Sequence, residues 1–112
     1  MICDFGDVVV VPFPFVDRPI SKTRPALVFS RQAFNTGNGH TVLAMITTGA
    51  GSVWPSDIEI IDRDAAGIVH PSVIRWKVFT LPNQVILRRV GTLGMKDRAA
   101  VKKAARSAFA AA

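Results

Sequence analysis

Between Gly6 and Ser30 the chain carries two β-rich runs that prolines cut short, and this pattern limits its possible folds more than any other feature. Gly6-Asp-Val-Val-Val-Val-Pro-Phe-Pro-Phe-Val16 is β-branched and aromatic, which predicts a strand. Pro12 and Pro14 place the end of that strand at a sheet edge, because proline cannot donate to a ladder. Asp17 to Thr23 is a polar, basic loop around Pro19, and Pro25-Ala-Leu-Val-Phe-Ser30 resumes as a strand with proline at its first position. No crossover helix separates the early strands, so an antiparallel arrangement is expected rather than a βαβ unit.

The rest of the chain extends the same picture. Asn35-Thr-Gly-Asn-Gly39 is dense in turn formers, and Thr41 to Thr47 is apolar enough for a central strand covered on both faces. Gly49-Ala-Gly-Ser52 interrupts it. Ile58 to Ile61, Ser72 to Arg75, Phe79 to Leu81 and Val85 to Val90 are further strand candidates. Only the C-terminus has helical spacing: Gly94 serves as N-cap, Asp97 takes the third helical position, and Val101, Ala104, Ala105, Ala108 and Phe109 recur on one face. The predicted class is mainly β with a C-terminal helix (α+β), a small, SH3-like, partly open antiparallel barrel. Residues 1–112 are expected to form a single domain, since 112 residues suffice for one modest core.

Composition narrows the setting. A hydrophobic share of 49% is high for so small a domain and predicts that a homodimer buries part of the apolar surface. No apolar stretch approaches the roughly 20 residues that cross a bilayer, and the opening Met1-Ile2-Cys3-Asp4 lacks the blocks of a signal peptide. A cytoplasmic protein without membrane contact is expected. Cys3 has no second cysteine to pair with, and His40 and His70 are the only other soft ligands, so neither a disulfide, a metal nor any other cofactor is expected. The net charge of +6 is concentrated in residues 88–106, where Arg88, Arg89, Lys96, Arg98, Lys102, Lys103 and Arg106 face Asp97 alone. Such an excess favours polyanions such as RNA or an acidic protein, although it is also how a solvated helix face looks.

Two places carry candidate chemistry. Arg24, in Lys22-Thr-Arg-Pro25, stands where a basic loop meets a strand, and its planar five-donor fork suits the oxygens of a phosphate. Thr47 and Thr48 end an apolar strand just before Gly49-Ala-Gly51, where the backbone can approach a ligand closely. Ordinary readings compete: a surface arginine in one case, threonine chosen for β-propensity in the other.

The ordered set Gly6-Asp7, Pro12-Phe-Pro-Phe15, Thr23-Arg-Pro-Ala-Leu-Val28, Met45-Ile-Thr-Thr48, Ser72-Val-Ile-Arg75, Phe79-Thr-Leu81 and Val90-Gly-Thr-Leu93 resembles the MazF/PemK family. These are the toxins of type II toxin-antitoxin systems that act as messenger-RNA endoribonucleases. The resemblance implies a dimeric barrel that cleaves single-stranded RNA without metal, through attack of the ribose 2′-hydroxyl on the adjacent phosphate. It also implies a cognate acidic antitoxin whose partly disordered tail folds into the dimer groove. Arg24 holds the position of the family's catalytic arginine and Thr47 that of its catalytic threonine. Chemically, arginine suits the charge gathering on the phosphorane oxygens better than it suits proton donation.

For RNA contacts, Phe15 at the mouth of the loop is the stacking candidate, with Lys22, Thr48, Arg75 and Lys77 as polar ones. Trp54 and Trp76 are read as core or interface fillers. The chain departs from the family after Arg75: many members carry an aspartate within two residues, where this chain has Trp76-Lys77. The proton acceptor must then be substrate, water or an acid from elsewhere such as Asp17. The settings of His40 in a turn and His70 before Pro71 argue against a catalytic histidine pair. Two other functions compete with the nuclease: a non-enzymatic gyrase-binding toxin of the CcdB-like kind on the same barrel, and a catalytically degenerate RNA- or antitoxin-binding member.

Overall fold

In the computed structural model, residues 1–13 and 22–111 are described. Strands β1 (Asp7–Phe13), β2 (Lys22–Val28), β3 (His40–Thr47), β4 (Ile58–Glu59), β5 (Val73–Pro82) and β6 (Arg88–Thr92) form a single curled sheet in the order β4-β5-β3-β2-β1-β6. Every pairing is antiparallel. Helix α1 (Gln32–Asn38) links β2 to β3, α2 (Arg63–Ala66) links β4 to β5, a 3-10 turn spans Asn83–Val85, and α3 (Met95–Ala108) closes the chain. The expected α+β half-barrel with a terminal helix is the observed fold.

The unbroken valines of β1 are explained by burial on both faces. Val8 packs with Leu27, Ala44, Ile46 and Ile74 on one face, beneath Ala66, Leu93 and Val101. Val9 and Val11 pack with Ala26, Val28, Leu43 and Leu81 on the other, beside Cys3 and Ile86. Val8, Val9 and Val11 are each 0% exposed, so each contributes about 1.5–3 kcal/mol of transfer free energy to the core. Burial, with the nearby Asp7 carboxylate adding to it, pushes the Cys3 thiol up, which keeps it protonated and unreactive.

Three expectations change. First, β1 as a whole is interior, between β2 and β6, and only its proline end is open: the β1–β6 pairing stops at Val10, so Pro12 has a neighbour on the β2 side alone, as its missing donor favours. Pro25 sits inside β2 rather than at its start, but the ladder between β2 and β3 begins only at Ala26, so no donor is required of Pro25 on that side. Second, Asn35 to Asn38 completes helix α1 before Gly39 closes it in the left-handed region at φ +66°. The cause is tertiary: buried Asn35 donates to Cys3 O at 2.9 Å and Ser30 O at 3.3 Å and is bonded to the Ser30 hydroxyl, which outweighs its poor helix propensity. Third, Val73 to Arg75 and Phe79 to Leu81 belong to one long strand, β5, with Ser72 just before its start. Gly94 is the N-cap of α3 as expected. Asp97, at the third position, turns away from the helix surface and accepts from Ile61 N at 3.1 Å and Asp62 N at 2.9 Å, tying α3 to the start of α2.

Candidate functional site

Arg24 and Thr47 come together through strand register. The β2–β3 ladder runs from Val28 paired with Leu43 to Ala26 paired with Met45, and Arg24 and Thr47 each lie two residues beyond that last pair, at the same end of the two strands. Both belong to the lining of a cleft of about 290 Å³ at the end of the sheet, together with Pro25, Ile46, Thr48, His70, Ser72, Arg88 and Val90. The Arg24 guanidinium carbon stands 5.3 Å from the centroid of the Phe13 ring. That cation-π contact positions the exposed fork without using its N–H donors. Thr47 Oγ1 accepts from Gly49 N at 3.2 Å, which leaves the hydroxyl proton free to donate outward.

The opposite wall is the segment that follows α2. Asp62 caps α2 by accepting from Ala65 N at 3.1 Å, and Gly67 ends it at φ +71°. α2 lies tightly on β6: a Cβ at Gly91 would overlap the Ala65 and Ala66 backbone, and one at Gly67 would overlap the Val90 carbonyl. Beyond Gly67, Arg63 Nη1 donates to Val69 O at 2.7 Å and Ser72 Oγ donates to His70 O at 2.9 Å. The result is a segment of fixed backbone that contributes Gly67, Ile68, Val69, His70 and Ser72 to the cleft lining.

Arg88 enters the cleft from β6, where it pairs with Val10. Sequence reasoning placed it only in a C-terminal charge run, because the β1–β6 pairing joins residues about 80 apart in the chain and leaves no local signal. The rest of that run is distributed elsewhere. Arg89 Nη1 lies 3.6 Å from the Asp7 carboxylate, while Arg98, Lys102 and Arg106 border a separate groove with Arg31, Asp4, Phe5 and Phe29.

Arg75 and Lys77 are not in the cleft. The expectation that Arg75 is an exposed phosphate contact does not fit its surroundings: it is 4% exposed, and its fork is held by the Asp57 carboxylate and by Ser52. The hydrogen bond from Arg75 holds Asp57 below the usual carboxylate range and, reciprocally, raises the Arg75 guanidinium. The Trp54 ring lies 5.3 Å from the Arg75 guanidinium carbon and 5.8 Å from Lys77 Nζ, so Trp54 joins this clamp rather than the core clusters. Trp76 packs edge-on against Phe29 and Phe109, as a filler should. Lys77 and Lys22 are exposed, Lys22 at the first position of β2. Phe15 and Asp17 lie outside the described residues. Among the described residues, no group of three or more His, Cys, Asp or Glu side chains is placed to hold a metal ion, and no helix is long and apolar enough to cross a membrane.

A curled antiparallel sheet with a terminal helix, opening into a cleft where two arginines and three hydroxyls stand among apolar side chains, defines a small barrel protein. The profile of the PemK-like, MazF-like toxins of type II toxin-antitoxin systems matches residues 4–109, and the chain belongs to this family. Among solved structures, it is similar to a MazE-MazF complex from Deinococcus radiodurans, with 18% identity and a TM-score of 0.76 over 100% of this chain and 99% of that one. It is similar also to an endoribonuclease in complex with its cognate antitoxin from a Mycobacterial species, with 17% identity and a TM-score of 0.73 over 96% and 92% of the two chains. The Mycobacterium tuberculosis toxin MazF-mt6 gives 21% identity and a TM-score of 0.72 over 92% and 95%. No curated protein matches the sequence at a significant level.

Proposed function

We propose that the chain is the endoribonuclease toxin of its system and cleaves single-stranded messenger RNA without a metal ion. The convergence of Arg24, Thr47 and Thr48 on one cleft supports this reading most directly. In the reaction the 2′-oxygen attacks the adjacent phosphorus and the 5′-oxygen departs, leaving a cyclic phosphate and a 5′-hydroxyl. Negative charge gathers on the non-bridging oxygens. Arg24 stabilises that charge with its planar fork of N–H donors, and Thr47 adds a neutral donor at the same oxygens. Thr48 supplies a further hydroxyl, while Lys22, Lys77 and Phe15 contact the flanking RNA.

The toxin acts as a homodimer and is silenced by an acidic antitoxin segment that covers Arg24, which charge complementarity favours. Family membership and the antitoxin-bound solved relatives support this part of the reading. The test is to incubate the purified protein with a long RNA in EDTA, alongside Arg24→Ala. Wild type is expected to cut at a few sites and leave cyclic-phosphate ends, and the folded variant is expected not to cut. An inert wild type overturns the nuclease reading.

A further inference from the structure

We propose that His70 accepts the proton of the attacking 2′-hydroxyl, an assignment that rests on the nuclease reading above. Attack by the 2′-oxygen requires a base, and none of the described residues lining the cleft is a carboxylate. Arg24 and Arg88 are lasting cations with no lone pair to offer, and Thr47, Thr48 and Ser72 are neutral hydroxyls. The remaining lining residues are Val10, Pro25, Ile46, Gly67, Ile68, Val69 and Val90. His70 is thus the one described side chain of the cleft with a ring nitrogen lone pair to take a proton.

The surroundings of His70 suit that task. Its backbone is held on both sides, by Arg63 on the carbonyl of Val69 and by the Ser72 hydroxyl on its own carbonyl. Its imidazole, in contrast, forms no hydrogen bond or ion pair among the described residues and is exposed. His40 differs: it opens β3, at the opposite end of that strand from Thr47, and its Nδ1 lies 2.9 Å from Asn38 O. Register places the two sides of the reaction together: Thr47 pairs with Val73, so the segment carrying His70 approaches Thr47 from β5 while Arg24 approaches from β2. The charged groups that share the cleft lining with His70 are Arg24 from β2 and Arg88 from β6, while Arg63 of α2 is bonded to the carbonyl of the preceding residue, Val69.

The step balances without a co-reactant beyond water. An imidazole nitrogen takes the 2′-hydroxyl proton as the O2′–P bond forms. The P–O5′ bond breaks with its electron pair on O5′, which takes a proton from solvent. His70 then releases its proton to solvent and is restored.

The experiment measures kcat/KM from about pH 5 to pH 9 in EDTA, on an oligonucleotide spanning a site that the wild type cuts. It compares wild type with His70→Ala, His70→Asn, Arg24→Ala and Asp17→Asn. Binding is read separately with the same oligonucleotide carrying a 2′-deoxyribose at the cleaved position. Expected results are a fall of about 100-fold or more in both His70 variants, loss of the acid limb of the pH profile, partial recovery of His70→Ala with free imidazole, and unchanged binding. Wild-type cleavage with His70→Ala at the wild-type rate, or with the acid limb intact, overturns the assignment and leaves the nuclease reading standing. So does loss of the limb in Asp17→Asn instead. A His70 defect seen in binding, without imidazole rescue, makes it a positioning residue and also overturns the assignment. A wild type that cuts no RNA overturns the nuclease reading itself.

Discussion

Arg75 and Asp57 form a two-bond ion pair, with Nε donating to Oδ1 at 3.0 Å and Nη2 to Oδ2 at 2.8 Å. Arg75 Nη1 also reaches Ser52 Oγ at 2.9 Å. Because Asp57 accepts from Trp54 N at 3.0 Å as well, one arginine of β5 secures the loop that begins directly after Thr47 and Thr48. The pair therefore connects a buried strand residue to the geometry of the cleft.

The first prediction concerns acid. The Arg75 hydrogen bond depresses the Asp57 carboxyl in the folded state; burial works against it, and the Trp54 amide reinforces it. A carboxyl lowered on folding adds stability that is fully present above its unfolded value of about 3.9 and is lost as pH falls through the folded value. Thermal unfolding of wild type from about pH 7 down to pH 2.5 should show a drop in Tm below about pH 4. Asp57→Asn should start lower and show a smaller drop. Equal slopes for the two proteins would mean that this pair does not set the acid response.

A second prediction tests the seat of α2. Gly91 has the Ala65 and Ala66 backbone where a side chain would begin, so Gly91→Ala must push α2 off β6 or distort the strand. Overpacking of this kind costs about 1–3 kcal/mol, and the displaced segment is the wall that carries His70. We expect a lower denaturant midpoint and a loss of cleavage together. Gly37→Ala, at an exposed position with open space around it, serves as the control and should change neither by much.

What the sequence disclosed depended on how local each signal was. The valines of β1, the apolar run of β3 and the spacing of α3 are local, and each element lies where its pattern predicts it. Arg24 and Thr47 stood out beside proline and glycine punctuation, and the β2–β3 register brings them together. The cleft positions of His70 and Arg88 have no local signal because their neighbours are set by long-range pairing: the β1–β6 ladder for Arg88, and the seating of α2 with the β3–β5 ladder for His70. Arg75 was misplaced for the same reason. Nothing near it in sequence announces Asp57, 18 residues earlier, as its partner.

The exposed lysines provide a third prediction. Lys22 and Lys77 are both exposed, and neither forms an ion pair among the described residues. If each meets one RNA phosphate, Lys22→Ala and Lys77→Ala will each weaken binding to an uncleavable RNA and reduce the slope of log K against log salt by about 1. Tm should hardly move, because surface charges of this kind contribute little to folding. An unchanged salt slope in either variant removes that lysine from the RNA path.

The last prediction separates the two parts played by the Thr47 hydroxyl. Its oxygen accepts from Gly49 N, a structural task, while its proton is free for a phosphoryl oxygen. Thr47→Ser keeps both functions and should retain most of the rate. Thr47→Val keeps the shape and the strand propensity but loses both, and removal of one such donor typically costs about 10²–10³ in kcat. If the loss belongs to the transition state, KM will stay near the wild-type value while kcat falls. If the Gly49 contact is what matters, the loop moves instead, and Thr47→Val should raise KM and lower Tm. The split between kcat and KM thus decides whether Thr47 acts on the phosphate or only holds the backbone beside it.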